Sequence, residues 1–208
     1  FHKLDKILLS SANNLFKFVH VHAKGGGGSA DGWVKFATNI VWSAGGTQLT
    51  LSNTTGRVHI SGGWDWIGAG IEPTVQSGRS VVDAANQCRV FSINGVTNVT
   101  LDSLIITRGK LGFSAGNGGG LSVVGNSHGL VLINLWVCSN AVDYAGEGAG
   151  VCIIGTANLT GLRITRCDIT DNQNTRAGSS STQYGVGMHL SLIGTPALPL
   201  HSATLEAI

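Results

Sequence analysis

The feature that most constrains this chain is a repeat running through residues 99–208. Segments 99–106, 130–137, 162–169 and 198–205 begin alike. Each opens with an apolar residue (Val99, Leu130, Leu162, Leu198), followed two positions on by another (Leu101, Leu132, Ile164, Leu200). A variable position comes next (Ser103, Asn134, Arg166, Ser202). A second apolar pair follows: Leu104 and Ile106, Leu135 and Val137, Cys167 and Ile169, Ala203 and Leu205. The copies recur at roughly thirty-residue spacing, within the range of solenoid repeats. Alternation of period two puts each pair on one face of a strand. The parity changes at the variable position, so the chain must bend there for both pairs to face one interior. A third alternating pair precedes each copy: Phe91/Ile93, Leu121/Val123, Val151/Ile153 and Met188/Leu190. Three short strands per turn predict a parallel β-solenoid whose coils stack to close a core that none closes alone.

Composition agrees with short strands and tight turns. Charged residues make up 12% of the chain and glycine numbers 31, which argues against a disordered tail or a helical bundle. The formal net charge is +2 with no basic cluster, so nucleic acid is not an implied partner. No apolar run reaches the ~18–20 residues a membrane span needs. The sequence has no initiator Met and no signal-peptide apolar region, and reads as a processed chain or a fragment. The four cysteines include no CxxC pair, so a tetrathiolate zinc site is not expected. Neither a metal nor a cofactor is implied. Asn-x-Ser/Thr sequons at Asn53, Asn98 and Asn158 are candidate glycosylation sites and lean toward an exported glycoprotein.

Three regions follow from this pattern: an arm over 1–17, a cap with an irregular first coil over 18–66, and regular coils over 67–208. Alternation over 18–23 predicts a strand that opens the fold. His20 and His22 share a face there, which suits either a metal or two exposed polar positions on an edge. The glycine run at 25–28 reads as a turn into a helix capped by Ser29 or Asp31. Apolar residues at 33, 36, 37, 40, 41 and 44 fit one helical face ended by Gly45-Gly46, predicting a short N-terminal capping helix over the open core. Residues 48–51 and 57–63 read as the irregular coil. Trp64 and Trp66 suit packing between cap and core, or stacking on sugar rings.

The motifs resemble a known family. Gly118-Gly119-Gly120-Leu121 and Gly148-Ala149-Gly150-Val151 resemble the Gly-Gly-Ala-Ile motif of polymorphic outer-membrane-protein repeats. Val137-Cys138-Ser139-Asn140 and Ile169-Thr170-Asp171-Asn172 resemble the companion Phe-x-x-Asn motif, with Val or Ile in place of Phe. Residues 90–101 are similar to the first coil of secreted, pectate-lyase-like β-helix proteins. The resemblance spans roughly residues 18–208. It implies an all-β fold, a right-handed parallel β-helix of about four regular coils. It also implies a surface protein such as an adhesin or autotransporter passenger, in a wider fold that includes polysaccharide lyases and hydrolases. Gly120 and Gly150 are then structural turns that reach φ > 0 and pass close to the neighbouring coil. Asn140 and Asn172 end strands, where asparagine tolerates the left-handed conformation, and their amides can stack as a ladder. Arg166, at a bend otherwise occupied by small polar residues, must point outward.

Catalytic signals are thin. Lyases and hydrolases of this fold need clustered aspartates with an Arg or Lys, or a carboxylate pair. The outward positions of the first strands are Ser92, Ser122, Cys152 and His189, a row without a carboxylate. Asp143, Glu147, Asp171 and Arg176 are scattered in loops. Ser127-His128-Gly129 superficially resembles the Gly-His-Gly of polygalacturonases but lacks the paired aspartates. Ser122, Cys152 and His189 could form a nucleophile dyad, yet Cys152 and His189 fall one coil apart with no orienting acid evident.

Cys167 belongs to the inward ladder, as a small hydrophobe. Cys138 and Cys152 both point outward by alternation and are a candidate disulfide, with each other or with another subunit. Val131, Ile133 and Trp136 form an apolar exterior row, a candidate assembly face. The chain stops at Ile208, after a strand, with no polar cap. That edge is expected to be completed by further chain or by a partner, for which the arm is a candidate through β-augmentation. The expected protein is an extracellular or cell-surface structural or adhesive subunit of a filament, sheath or layer. Its expected partners are itself, other surface proteins or glycans. The alternative is a polysaccharide-binding or polysaccharide-degrading protein of the same fold.

Overall fold

The computed structural model describes residues 7–8, 19–24, 31–37, 39–41, 47–52, 56–65, 75–112, 116–125, 127–143, 146–155, 161–175, 186–192 and 203–206. Every helix or strand among the described residues is a strand, so the fold is all-β. Three sheets carry most of it. The first runs Ile7–Leu8, Leu49–Ser52, Phe91–Asn94, Leu121–Gly125, Val151–Gly155, Met188–Leu192. The second runs Val19–Lys24, Asp31–Phe36, Val58–Ser61, Val99–Asp102, Val131–Ile133, Leu162–Thr165, Ala203–Glu206. The third runs Asp168–Thr170, Trp136–Cys138, Leu104–Thr107, Ser80–Asp83, Ile40–Val41. Neighbours within the sheets are parallel, except that Ile7–Leu8 and Val19–Lys24 pair antiparallel to theirs. A smaller parallel sheet joins Lys110–Leu111, Ala141–Val142 and Gln173–Asn174.

Between the parallel strands the register files like residues together. Phe91, Leu121, Val151 and Met188 stand in one file, and Leu101, Leu132 and Ile164 in another. The buried members of these files, with Leu104, Ile106 and Val137 from the third sheet and Leu135 just before it, form one continuous apolar core. Burying each such side chain contributes about 1.5–3 kcal/mol relative to exposure, and it takes residues from all three sheets together to supply that burial.

The parity change falls where the chain turns. Ser103, Asn134 and Arg166 all adopt the left-handed conformation, at φ 54, 53 and 52°. Each such residue reverses the alternation, so the apolar pairs on both sides point inward. Arg166 is exposed.

Several expectations are corrected. The capping helix is absent from the described residues: Trp33 to Phe36 lie in the strand Asp31–Phe36, paired parallel with Val58–Ser61. Val34 and Phe36 are buried while Trp33 is 54% exposed, a period of two rather than 3.6. Leu49–Ser52 and Val58–Ser61, in the stretch expected to be irregular, pair in parallel and in register with Phe91–Asn94 and Val99–Asp102. Ala203–Glu206 pairs with Leu162–Thr165 in the second sheet, setting Ala203 opposite Leu162 and Leu205 opposite Ile164. The alignment of Leu198 with Leu162 is thus overturned; residue 198 itself lies outside the described residues. Ile7–Leu8 of the arm pairs with Leu49–Ser52 of its own chain, at the opposite end of the stack from Ala203–Glu206.

The positive φ values fall on neighbours of the expected glycines and asparagines. Gly118 and Gly148 take positive φ, at 74 and 57°, whereas Gly120 and Gly150 do not and instead lie against backbone leading into the neighbouring strands. A Cβ on Gly120 would sit 2.6 Å from Gly150 O, and one on Gly150 would sit 2.5 Å from Gly187 O. The left-handed residues at the strand ends are Ser139 and Asp171, each at φ 55°. Asn140 and Asn172 follow them, and their side chains stack. Asn140 Nδ2 donates to Asn172 Oδ1 and to Ile106 O, each at 3.0 Å.

Candidate functional site

The outer faces of the sheets carry three groupings of reactive or polar side chains. The first lies on the first sheet, where the register sets Ser92, Ser122, Cys152 and His189 in one file. Alternation predicts that this file faces solvent, yet Ser122 and Cys152 are buried. The cover comes from the two glycine-rich turns, which stack on each other. Gly118 N donates to Glu147 O at 3.0 Å, and Glu147 N donates to Asn117 Oδ1 at 2.8 Å. Arg89 fastens the lower turn through Nε to Gly118 O at 2.8 Å and Nη2 to Asn117 O at 2.7 Å. Burial presses the Arg89 pKa down, and the nearby thiols of Cys152 and Cys88 oppose that shift.

An orienting acid is present here, contrary to expectation: His189 Nε2 lies 3.2 Å from Glu147 Oε2. The loop carboxylate is invisible to strand alternation because a turn delivers it. The thiol, however, is poorly placed for attack. Burial, then the negative charge of Glu147, push Cys152 up to about 11, with Arg89 opposing. A thiol at that value is protonated near neutral pH, and the thiolate is the nucleophile. All four cysteines are free; Cys138 is buried on the third sheet, where Sγ lies 3.7 Å from Thr107 Oγ1. Burial likewise raises Cys88 and Cys167. Cys138 and Cys152, the candidate disulfide pair, are both free and buried, and they lie on two different sheets.

The second grouping is built on the bends. Ser103 Oγ donates to Asp102 Oδ1 at 2.8 Å, Asn134 Nδ2 donates to Ser103 Oγ at 2.9 Å, and Arg79 Nη2 donates to Asn134 Oδ1 at 2.7 Å. Arg79 also lies 3.7 Å from Asp168. This chain of contacts floors a cleft of about 460 Å³ that Gln76 and Arg166 complete. Burial opposes ionisation of Asp102, but His59 and Ser103 more than offset it, holding its carboxyl below the ordinary range.

The third grouping lies alongside, on the outer face of the second sheet. Trp33, His59, Thr100 and Val131 stand opposite one another on four successive strands. With Arg57 and Asn98 they line a cleft of about 370 Å³. His59 Nε2 stands 3.6 Å from Asp102 Oδ2 and makes no hydrogen bond. Because His59 lines this cleft and Asp102 the other, their contact partitions the two.

The remaining sequence candidates are distributed as follows. Val131 and Ile133 belong to the second sheet and Trp136 to the third, so the bend at Asn134 splits the expected apolar row. Trp136 is 38% exposed, and its Nε1 donates to Thr170 Oγ1 at 3.0 Å. Trp64 donates to Ser61 Oγ at 2.9 Å beneath the Lys35 ammonium, 4.1 Å from the ring centre, rather than under a helical cap. Asn98 is exposed at φ 55°, while Asn53 and Asn158 lie outside the described residues. His20 and His22 fall in the strand Val19–Lys24. Among the described residues no group of three His, Cys, Asp or Glu could hold a metal ion, and no helix is long and apolar enough to cross a membrane. The apolar spacing misleads at Trp33, which it places on a helix; the pairing of Trp33 with His59 is a signal that only a strand reading gives.

No protein-family model, no curated protein and no solved structure matches this chain.

Proposed function

We propose that this chain is a right-handed parallel β-helix that serves as an exported structural or adhesive protein, a rigid rod within a surface filament, sheath or layer. The observation that carries the reading is the register: strands one turn apart in sequence pair in parallel within three sheets around a continuous core. Such stacking builds length rather than a single concave site. Right-handed crossovers are the rule for parallel strands in one sheet, which supports the hand. The Gly-rich and Asn-ended turns are the same residues that resemble polymorphic outer-membrane-protein repeats, and this supports placement at a cell surface.

Negative-stain electron microscopy of the purified chain near neutral pH tests the assembly. Regular filaments or sheets are expected, and dispersed monomers with an intact fold would overturn it. A second reading, a polysaccharide-binding protein of the same fold, is favoured by the cleft over the bends and the adjacent cleft on the outer face of the second sheet.

A further inference from the structure

We infer that the cleft formed by Trp33, Arg57, His59, Asn98, Thr100 and Val131 binds a neutral oligosaccharide laid across the strands of the second sheet. This inference rests on the polysaccharide-binding reading and supplies its site and ligand class. A pyranose ring presents an apolar C–H face and a rim of hydroxyls. A complementary site needs an aromatic or aliphatic platform beside several hydrogen-bonding groups.

The cleft has both. Trp33 is 54% exposed, the highest among the large apolar side chains described, and Val131 continues the apolar surface. The Thr100 hydroxyl, the Asn98 amide and the Arg57 guanidinium supply donors and acceptors around them. No carboxylate is among the lining residues; the nearest, Asp102, faces the neighbouring cleft and is engaged by Ser103.

The direction of the groove follows from the register. Trp33, His59, Thr100 and Val131 occupy adjacent strands. At a spacing of about 4.8 Å per strand the row extends for about 14 Å. That length suits a short run of linked sugars. A peptide adding to a sheet would need an edge, and this row lies on a face. A nucleic acid would need a basic cluster, which the chain lacks.

The test uses the full chain produced without N-glycosylation, so that Asn98 carries no sugar of its own. Isothermal titration is run against cellohexaose, maltohexaose, chitohexaose and, as a charged comparison, an oligogalacturonate. At least one neutral hexasaccharide is expected to bind. Trp33→Ala should weaken it tenfold or more, Trp33→Phe should retain most of it, and Thr100→Val should weaken it several-fold. Trp136→Ala, on the third sheet, should leave it unchanged. Circular dichroism confirms that each variant is folded. Binding that persists unchanged in Trp33→Ala overturns this site while leaving the polysaccharide-binding reading standing. Binding confined to the oligogalacturonate and abolished by salt overturns the neutral ligand class. Silence toward every sugar overturns both.

Discussion

Asn140 and Asn172 occupy equivalent places one turn apart and repeat each other's hydrogen bonds. Asn140 Nδ2 donates to Ile106 O at 3.0 Å, and Asn172 Nδ2 donates to Val137 O at 2.9 Å. Asn140 Oδ1 accepts from Gly109 N at 2.8 Å, and Asn172 Oδ1 accepts from Asn140 N at 3.1 Å. The Asn140 side chain is fully buried, so removing it strands a backbone N–H and a C=O away from water. Asn140→Ala is expected to destabilise the fold by about 2–4 kcal/mol, since each unsatisfied buried group costs about 1–3. Asn172 is half-buried, and its alanine variant should cost less. Urea denaturation of both singles and the double measures their coupling; strictly additive losses would refute a shared ladder.

Close approach of backbones gives a second prediction. A methyl group added at Gly120 would meet Gly150 O at 2.6 Å and the Asn140 amide nitrogen at 2.8 Å. Both contacts are to groups fixed by hydrogen bonds, so neither yields cheaply. Gly120→Ala should lower stability by about 2–3 kcal/mol, the range of overpacking in a close-packed interior. Gly112 has nothing within 4 Å of the same position and an ordinary φ. Gly112→Ala should be neutral or stabilise by about 0.4–1 kcal/mol through the unfolded chain. Equal thermal midpoints for the two variants would show that coil spacing is not limiting.

These positions also show what the sequence can convey. The apolar files are legible because a strict period of two, interrupted at Ser103, Asn134 and Arg166, admits one arrangement with both pairs inward. The left-handed φ at those residues is the backbone form of that parity change. Hydrogen bonding between coils is harder to read. Alternation alone cannot distinguish a left-handed Ser139 from an inward Asn140 directly after it. The apolar spacing over 33–44 fits a 3.6-residue period, but the long-range partners of Asp31–Phe36 decide for strand. The file of Ser122, Cys152 and His189 is legible from alternation, whereas its cover comes from loops that carry no periodicity.

That cover leads to a prediction about thiol chemistry. Cys152 is fully buried, with its pKa pushed up to about 11 by burial and by Glu147. The native chain treated with iodoacetamide near neutral pH should remain unmodified at Cys152 and become modified there only after denaturation. Peptide mass mapping locates the label. Intact mass should be the same with and without reductant, because Cys138 and Cys152 are free thiols. Rapid native labelling of Cys152 would mean that the turns at 116–120 and 146–150 open readily, and the cover argument would fail.

Acid stability should depend on Asp102. Its carboxyl is held below the ordinary range: burial opposes ionisation, while His59 and Ser103 favour it more strongly. Arg79 and Arg166 line the same cleft. A depressed folded-state pKa means that the ionised carboxylate stabilises the fold at pH values above the unfolded value, about 3.9. That contribution falls as pH drops toward the folded value, because the unfolded chain then binds the proton first. Wild-type stability, followed by urea midpoint from neutral pH into the acid range, should therefore fall steeply below about pH 4. Asp102→Asn keeps the acceptor for Ser103 Oγ but carries no titrating charge. It should be less stable near neutral pH and show a shallower fall across the acid window. Parallel curves for the two proteins would place the acid sensitivity in other carboxylates and leave Asp102 with only its hydrogen bond.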